Sequence, residues 1–262
     1  MDQWLAPCID IAQRAGVAIM AVYARDFDVS AKDDASPLTE ADMAAHRLIV
    51  AGLQQLTPDI PVLSEESAEI HWAVRRQWPR YWLVDPLDGT REFIKRNGEF
   101  TVNIALIDGD APVLGVVHAP ALDELAFALR GRGAFVRMGE DDVALTTRRP
   151  ALAPLRVAAS RSHRDARTQA ALERMGEIEC LGLGSSLKFL RIAEGRADVY
   201  PRFGLTSEWD TAAAQCVLEA AGGAVLGMDG APLRYNRKDS LLNPDFIALG
   251  DADLPWREWL HD

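Results

Sequence analysis

Cysteine is scarce in this chain, three residues in 262, and Cys8, Cys180 and Cys216 are odd in number and lack metal-site spacing. That argues against a disulfide framework or a thiolate zinc site, and inert thiols in a reducing cytosol are the expectation. Positive charge is in deficit as well: 28 Lys and Arg stand against 39 Asp and Glu, a formal net charge of −11. An acidic surface repels a polynucleotide backbone, so no nucleic acid polymer is expected as a partner. A small phosphorylated ligand is still allowed, because bound cations reverse the field locally. No apolar run approaches membrane-spanning length. The opening Met1-Asp2-Gln3-Trp4 places an acid where a secretory signal carries basic residues. The expectation is a cytoplasmic chain without a transmembrane segment, with peripheral attachment to the cytoplasmic side of the inner membrane left open. Internal repeats and low-complexity tracts are also lacking.

What is present is a regular alternation of elements. Leu5, Ile9, Ala12, Val17 and Met20 recur at helical spacing over Trp4 to Arg25, and Ala45, Leu48, Ile49 and Leu53 do so over Ala41 to Leu56. Pro61-Val62-Leu63 and Tyr81-Trp82-Leu83-Val84 read as buried strands. Thr101 to Ile107, Pro112 to His118 and Glu124 to Ala128 read as an antiparallel meander punctuated by glycines. Composition shifts near Arg148-Arg149-Pro150 and Pro154. Beyond it, strands (Arg156 to Ala159, Ile178 to Leu181) alternate with helices (Asp165 to Met175, Ser186 to Glu194, Thr211 to Ala221). The fold class is α/β: an α+β half over 1–150 followed by an α/β half over 151–262.

Chemistry concentrates in Val84-Asp85-Pro86-Leu87-Asp88-Gly89-Thr90. The segment follows an apolar strand, so Asp85 is expected where the chain leaves the sheet. Pro86 restricts Asp85 to extended backbone, and Gly89 permits close approach to a ligand. The N–H groups of Gly89 and Thr90 are then free to face an anion. Two carboxylates at ~4 Å repel by about 4 kcal/mol at an effective dielectric near 20. A hard divalent cation between them removes that cost, and oxygen ligands suit Mg²⁺. Asp, Pro and Gly are also ordinary turn residues, and the segment alone does not separate turn from metal site.

Further acids stand at element ends. Ser64-Glu65-Glu66-Ser67 follows the strand Val62-Leu63, and Trp209-Asp210-Thr211 opens a helix. Taken singly, Glu65 reads as a surface acid and Asp210 as a helix-capping or first-turn acid. Thr39 reads as an N-cap with Asp42 three positions on, an approximate capping box; Asp42 is also placed to approach the Thr90 hydroxyl.

Leu63-Ser64-Glu65-Glu66, Asp85-Pro86-Leu87-Asp88-Gly89-Thr90 and Trp209-Asp210-Thr211-Ala212-Ala213 together resemble the inositol monophosphatase superfamily, over nearly the whole chain. Within it, several stretches resemble the branch acting on nucleoside 3′,5′-bisphosphates. They are Pro37 to Asp42, Arg91 to Asn103, Ser160-Arg161-Ser162-His163, Gly184 to Phe189 and Tyr200 to Gly204. The resemblance implies a layered α-β-α-β-α sugar-phosphatase-like architecture. It implies a Mg²⁺-dependent, Li⁺-sensitive phosphomonoesterase with two or three ions. Such an enzyme converts adenosine 3′,5′-bisphosphate (PAP) to AMP, and the 5′-phosphosulfate PAPS to APS, in sulfur assimilation.

By the same resemblance Glu65, Asp85, Asp88 and Asp210 are metal ligands together with the Leu87 carbonyl. Gly89 and Thr90 hold the scissile phosphate, and Asp42 with Thr90 orients the attacking water. Glu65, Leu87, Asp88 and Asp210 also border the substrate, while Ser160, His163, Gly184 and Lys188 lie along the nucleotide. Leu205, Glu208 and Ala214 depart from the family pattern without removing an oxygen ligand. By themselves Lys188 and Arg202 read as solvated charge; a second phosphate would give them partners. His163 by itself reads as a capping or surface residue, and Phe93, Phe100 and Trp82 as core aromatics.

Three rivals remain at this level. Asp88-Gly89-Thr90 is similar to the phosphatases with a nucleophilic aspartate, but those place their two aspartates two apart rather than three. A relative acting on inositol monophosphate or fructose 1,6-bisphosphate shares the same acids. A metal-dependent phosphate-binding module without activity is the non-enzymatic reading. Oligomeric state is not legible.

Overall fold

The computed structural model describes residues 1–25, 37–160 and 166–259, except for the side chains of 37–39 and 160. Helix α1 (Asp2–Tyr23) buries Cys8, Ile9, Ala12, Ala15, Ile19 and Val22, one stripe at intervals of three and four. Helix α2 (Pro37–Leu56) buries Ala41, Ala45, Ile49 and Leu53, every fourth residue. It begins four residues earlier than its apolar periodicity predicts. Proline suits the first helical position, where its missing N–H costs nothing. Thr39 is therefore inside the first turn rather than at the N-cap, and its side chain, with the predicted capping box, lies outside the described residues. Gly52 lets the two helices close: a Cβ there would stand 2.8 Å from Ile11 Cγ1. One expectation needs correcting, since α1 is long and apolar enough by length and composition to cross a membrane. Its apolar stripe is packed against α2 and the adjoining sheet.

The first sheet runs in chain order: β1 (Val62–Ser64), β2 (Arg80–Asp88), β3 (Thr101–Asp108), β4 (Ala111–Ala119), β5 (Glu124–Leu129), β6 (Gly133–Met138) and β7 (Asp141–Ala144). Strand β1 is parallel to β2, and every later pair is antiparallel. Alternate residues feed two different cores. Trp82, Val84, Ile104, Leu106 and Val116 pack under α1 and α2. Tyr81, Leu83, Ala105, Ile107 and Val117 pack on the opposite face. Both faces are buried, which is why β2 to β4 read as continuous apolar runs instead of alternating ones.

The opposite face is covered by α7 (Glu208–Ala220), whose Ala212, Ala213 and Ala214 keep the helix thin. Gly115 in β4 completes the fit, since a Cβ there would sit 2.4 Å from the Ala213 carbonyl oxygen. The second sheet has the order β11 (Ala224–Gly227), β12 (Phe246–Leu249), β10 (Val199–Arg202), β8 (Leu155–Ser160), β9 (Ile178–Leu183). Strand β8 is parallel to β9 and β10, while β12 is antiparallel to β10 and β11. Helix α6 (Leu187–Ala193) lies with α7 between the sheets, and α5 (Ala166–Arg174) covers the outer face of the second sheet. The succession is helix, sheet, helix, sheet, helix, the predicted layered α/β class. Two short helices, α3 (Trp72–Arg75) and α4 (Thr90–Ile94), flank β2.

Candidate metal and phosphate site

Strand β2 continues past Asp85 to Asp88, a correction to the expectation that the chain leaves the sheet at Asp85. Asp85 pairs with Asn103 and Asp88 with Thr101, so Pro86 and Leu87 together face one residue of β3. This is a bulge, and proline suits it because the ladder needs no N–H there. The Leu87 N–H donates to Asp85 Oδ1 at 3.0 Å, which locks the carboxylate above the bulge. Asp85 is 1% exposed.

Gly89 then turns the chain with φ +94° and caps α4. A Cβ at that position would meet the Glu99 carbonyl oxygen at 3.0 Å. We expect Gly89→Ala to cost about 1–2 kcal/mol from the left-handed backbone alone. Urea unfolding measures it, with loss of activity larger than the fraction unfolded because the first turn of α4 shifts.

From the far side of the layer, α7 delivers Asp210. Its Oδ2 accepts the Ser207 N–H at 2.8 Å in a capping box, so the capping role read from the sequence is real. The same residue also joins a cluster. Asp85, Asp88 and Asp210 each present a carboxylate oxygen within 4.8 Å of the other two. Ser186 Oγ lies 3.1 Å from Asp88 Oδ2 and 2.7 Å from the Asp210 carbonyl oxygen, and accepts from Asn103 Nδ2 at 3.1 Å. Neither Ser186 nor Asn103 is singled out by sequence reasoning, although the Ser before an apolar helix was the available signal.

Glu65 follows β1 directly. The residue is exposed, yet its carboxylate reaches Asp85 and the Trp209 side chain. Asp42, one turn into α2, faces Glu66 and Glu65. Among the described residues no hydrogen bond joins Asp42 to Thr90, and Asp42 Oδ1 is buried without a partner. Glu208 does not add charge beside the cluster: it is 2% exposed and turns inward, accepting the Asn236 N–H at 2.9 Å.

The electrostatics are those of acids crowded out of water. Burial first, then Asp88, Glu65 and Asp210, holds Asp85 well above the usual carboxylate range. Burial and Asp88 push Asp210 up to about 8. Withdrawal from water, then Asp88 and Glu66, pushes Glu65 to about 7. Burial and Glu66 push Asp42 to about 8. Burial also raises Asp88, opposed by Lys188 and by hydrogen bonds from Ser186 and Asn103. The converging carboxylate oxygens of Asp85, Asp88 and Asp210 are hard donors of the kind that suits a divalent cation.

A cavity of about 240 Å³ opens beside the cluster, lined by Asp88, Thr90, Gly184, Lys188, Arg202 and Asp210 among others. Lys188 is buried; burial lowers its ammonium to about 8, against the attraction of Asp88. Its Nζ donates to the Ser185 carbonyl at 2.5 Å. Ser185 Oγ and Arg202 Nε are buried without a partner among the described residues. Gly184 is packed rather than open: its N–H donates to Glu99 Oε2 at 2.8 Å, and a Cβ would strike Glu92 Cγ at 2.5 Å. Leu205 is 76% exposed at the rim. The Ser160 side chain and His163 lie outside the described residues. Trp82, Phe93 and Phe100 are fully buried core aromatics, as predicted.

The fold has counterparts among known proteins. Over 239 residues the chain is 52% identical to 3′(2′),5′-bisphosphate nucleotidase CysQ of Escherichia coli K12, a match covering 90% of this chain and 95% of that protein. The crystal structure of CysQ from Bacteroides thetaiotaomicron superposes with a TM-score of 0.86 at 43% identity, covering 94% of this chain and 97% of that one. An inositol monophosphatase from Zymomonas mobilis shares the fold, with a TM-score of 0.83 at 24% identity over 99% and 98% of the two chains. The model of the inositol monophosphatase family matches residues 1–255. With five layers and an acidic cluster where β2 meets α7, the chain belongs to the inositol monophosphatase family.

Proposed function

We propose that the protein is a Mg²⁺-dependent 3′(2′),5′-bisphosphate nucleotidase that removes the 3′-phosphate of PAP to give AMP, and of PAPS to give APS. The observation that carries this reading is one cavity with two charge zones. Asp88 and Asp210 border this cavity, and the cations Lys188 and Arg202 border the same space. A monophosphate needs only the first zone. A bisphosphate fills both, with its second phosphate facing the cations. The 52% identity to CysQ over nearly the whole of both chains supports the same substrate class.

In this reading Glu65, Asp85, Asp88 and Asp210, with the Leu87 carbonyl, hold two or three magnesium ions. Bound magnesium neutralises the phosphate and makes water reactive near neutral pH. Gly89 and Thr90 hold the scissile phosphate through their N–H groups and the Thr90 hydroxyl. Asp42 and Thr90 orient the attacking water for in-line displacement. Ser185 Oγ and Arg202 Nε, both buried and unpartnered, are the donors left for the nucleotide, beside Gly184, Lys188, Ser160 and His163.

The test is phosphate release from PAP, inositol 1-phosphate and fructose 1,6-bisphosphate, with and without Mg²⁺ and Li⁺. Preference for PAP, dependence on Mg²⁺ and inhibition by Li⁺ are expected; preference for inositol 1-phosphate overturns the substrate assignment. A substitution separates the two zones. A charge-assisted contact contributes about 1.5–3 kcal/mol, so Lys188→Met should raise KM for PAP by about 10–100-fold at 1.4 kcal/mol per tenfold. Turnover of adenosine 3′-monophosphate, which lacks the second phosphate, should change little.

A further inference from the structure

Two of the acids, Glu65 and Asp210, reach the cluster from segments far apart in the chain, one from the short 3-10 turn that follows β1 and one from the first turn of α7. Glu65 begins the connection of β1 to β2, which passes through α3. Asp210 sits in the first turn of α7, whose entry is held from outside by the loop 236–243. The Glu208 N–H donates to the Leu241 carbonyl at 2.8 Å, and the Asn243 N–H to the Thr206 carbonyl at 2.8 Å. Asn243 Nδ2 donates to the Ser207 carbonyl at 2.7 Å, and the Asn236 N–H to Glu208 Oε2 at 2.9 Å.

One side chain joins these two segments. Arg75, the last residue of α3, has a side chain only 2% exposed. Its guanidinium donates to Asn236 Oδ1 at 2.5 Å, to the Lys238 carbonyl at 3.2 Å and to the Asp239 carbonyl. Asn236 returns a bond from Nδ2 to the Arg75 carbonyl at 2.6 Å. An arginine buried this deeply is held by its fork of donors, and each acceptor here belongs to the loop that supports α7. We infer that Arg75 is a positioning residue, a clamp that fixes the Glu65 connection against the Asp210 helix entry and so sets the spacing of the metal cage.

The inference rests on the metal-cage reading and adds a residue that touches neither metal nor substrate. Its test is Mn²⁺ binding, followed by electron paramagnetic resonance of the free ion, on the intact protein. Supporting residues behind ligands typically change metal affinity by about 10–100-fold. Arg75→Ala is expected to weaken Mn²⁺ binding within that range, with Arg75→Lys recovering part. Because Arg75→Ala leaves several buried carbonyls unpaired and could fail to fold, Asn236→Gly is the milder probe. Asn236 has φ +56°, which glycine adopts freely, so only its two side-chain bonds to Arg75 are lost and its N–H to Glu208 is kept. About tenfold weaker binding is expected for it.

Arg148→Met is the control for stability alone. It breaks the bidentate pair with buried Asp198, at 2.7 and 2.5 Å, and should lower Tm while leaving Mn²⁺ affinity at the wild-type value. Wild-type affinity in Asn236→Gly overturns the clamp. Equal weakening in Arg148→Met also overturns it, because loss of stability then explains the effect. A wild-type protein that binds no Mn²⁺ overturns the cage reading itself.

Discussion

Asp85→Asn is expected to lower phosphate release from PAP at saturating Mg²⁺ by at least about 10³-fold, while making the metal-free protein more stable. The activity loss follows from removing one anionic oxygen donor from a site whose cations supply several kcal/mol of charge stabilisation, at about 1.4 kcal/mol per tenfold. The gain in stability follows from the crowding: Asp85 is held far above its ordinary range by burial and by Asp88, Glu65 and Asp210. Asparagine keeps an acceptor for the Leu87 N–H, removes the charge, and offers two N–H donors to the neighbouring carboxylates. A gain of about 1 kcal/mol shifts Tm by about 2–4 °C in a chain of this size. An ordinary core lesion lowers activity and stability together. Near-normal turnover of Asp85→Asn with Mg²⁺ would sink the assignment of Asp85 as a ligand.

The second large effect is a coupling of pH, metal and stability. In the metal-free protein Glu65 rises to about 7 and Asp42 and Asp210 to about 8, above unfolded carboxylates near 4. Acids with raised folded pKa values bind more protons folded than unfolded between those limits, so their contribution favours folding at low pH. It is lost as pH rises from about 4 through about 8. Mg²⁺ binds the deprotonated acids, so its stabilisation grows over the same window. Saturation at about 100 times Kd adds about 2.7 kcal/mol. Thermal unfolding at pH 5.5 and pH 8.5, with and without Mg²⁺, isolates the effect, because groups away from the cage cancel in the difference. A larger Mg²⁺-induced rise in Tm at pH 8.5 is expected; an equal rise at both values contradicts the proposed ligand set.

Sequence periodicity locates the elements whose faces differ in polarity, and the helices α1 and α2 are of that kind. It also finds β2 to β4, where apolar runs are long because both faces are buried. It is silent on β6 and β7, where apolar Met138 and Val143 are exposed, and on β11 and β12, whose four-residue lengths carry too little period. Asp85 marks a misplaced boundary at the site. A proline after an aspartate reads as an exit from a sheet, whereas here it fills a bulge within a strand that runs on to Asp88.

That acids stand at element ends was legible, and Asp85, Asp88 and Asp210 do come together; singly they read as turn or cap residues, and only the family resemblance joined them. The residues that hold them were not legible. Ser186 and Asn103 act through tertiary hydrogen bonds to Asp88, and Arg75 reaches a loop more than 160 positions away. Nothing in local composition marks such contacts. Gly184 shows the same limit from the other side. Its glycine is required by packing against Glu92 and Glu99, which a sequence pattern does not distinguish from contact with a nucleotide.

The most direct measurement is anomalous diffraction at the manganese edge from crystals soaked in Mn²⁺. Peaks bounded by Asp85, Asp88 and Asp210, with Glu65 on the side of Asp85, are the predicted result. Crystals that take up Mn²⁺ elsewhere, leaving no peak among those three carboxylates, would contradict the account.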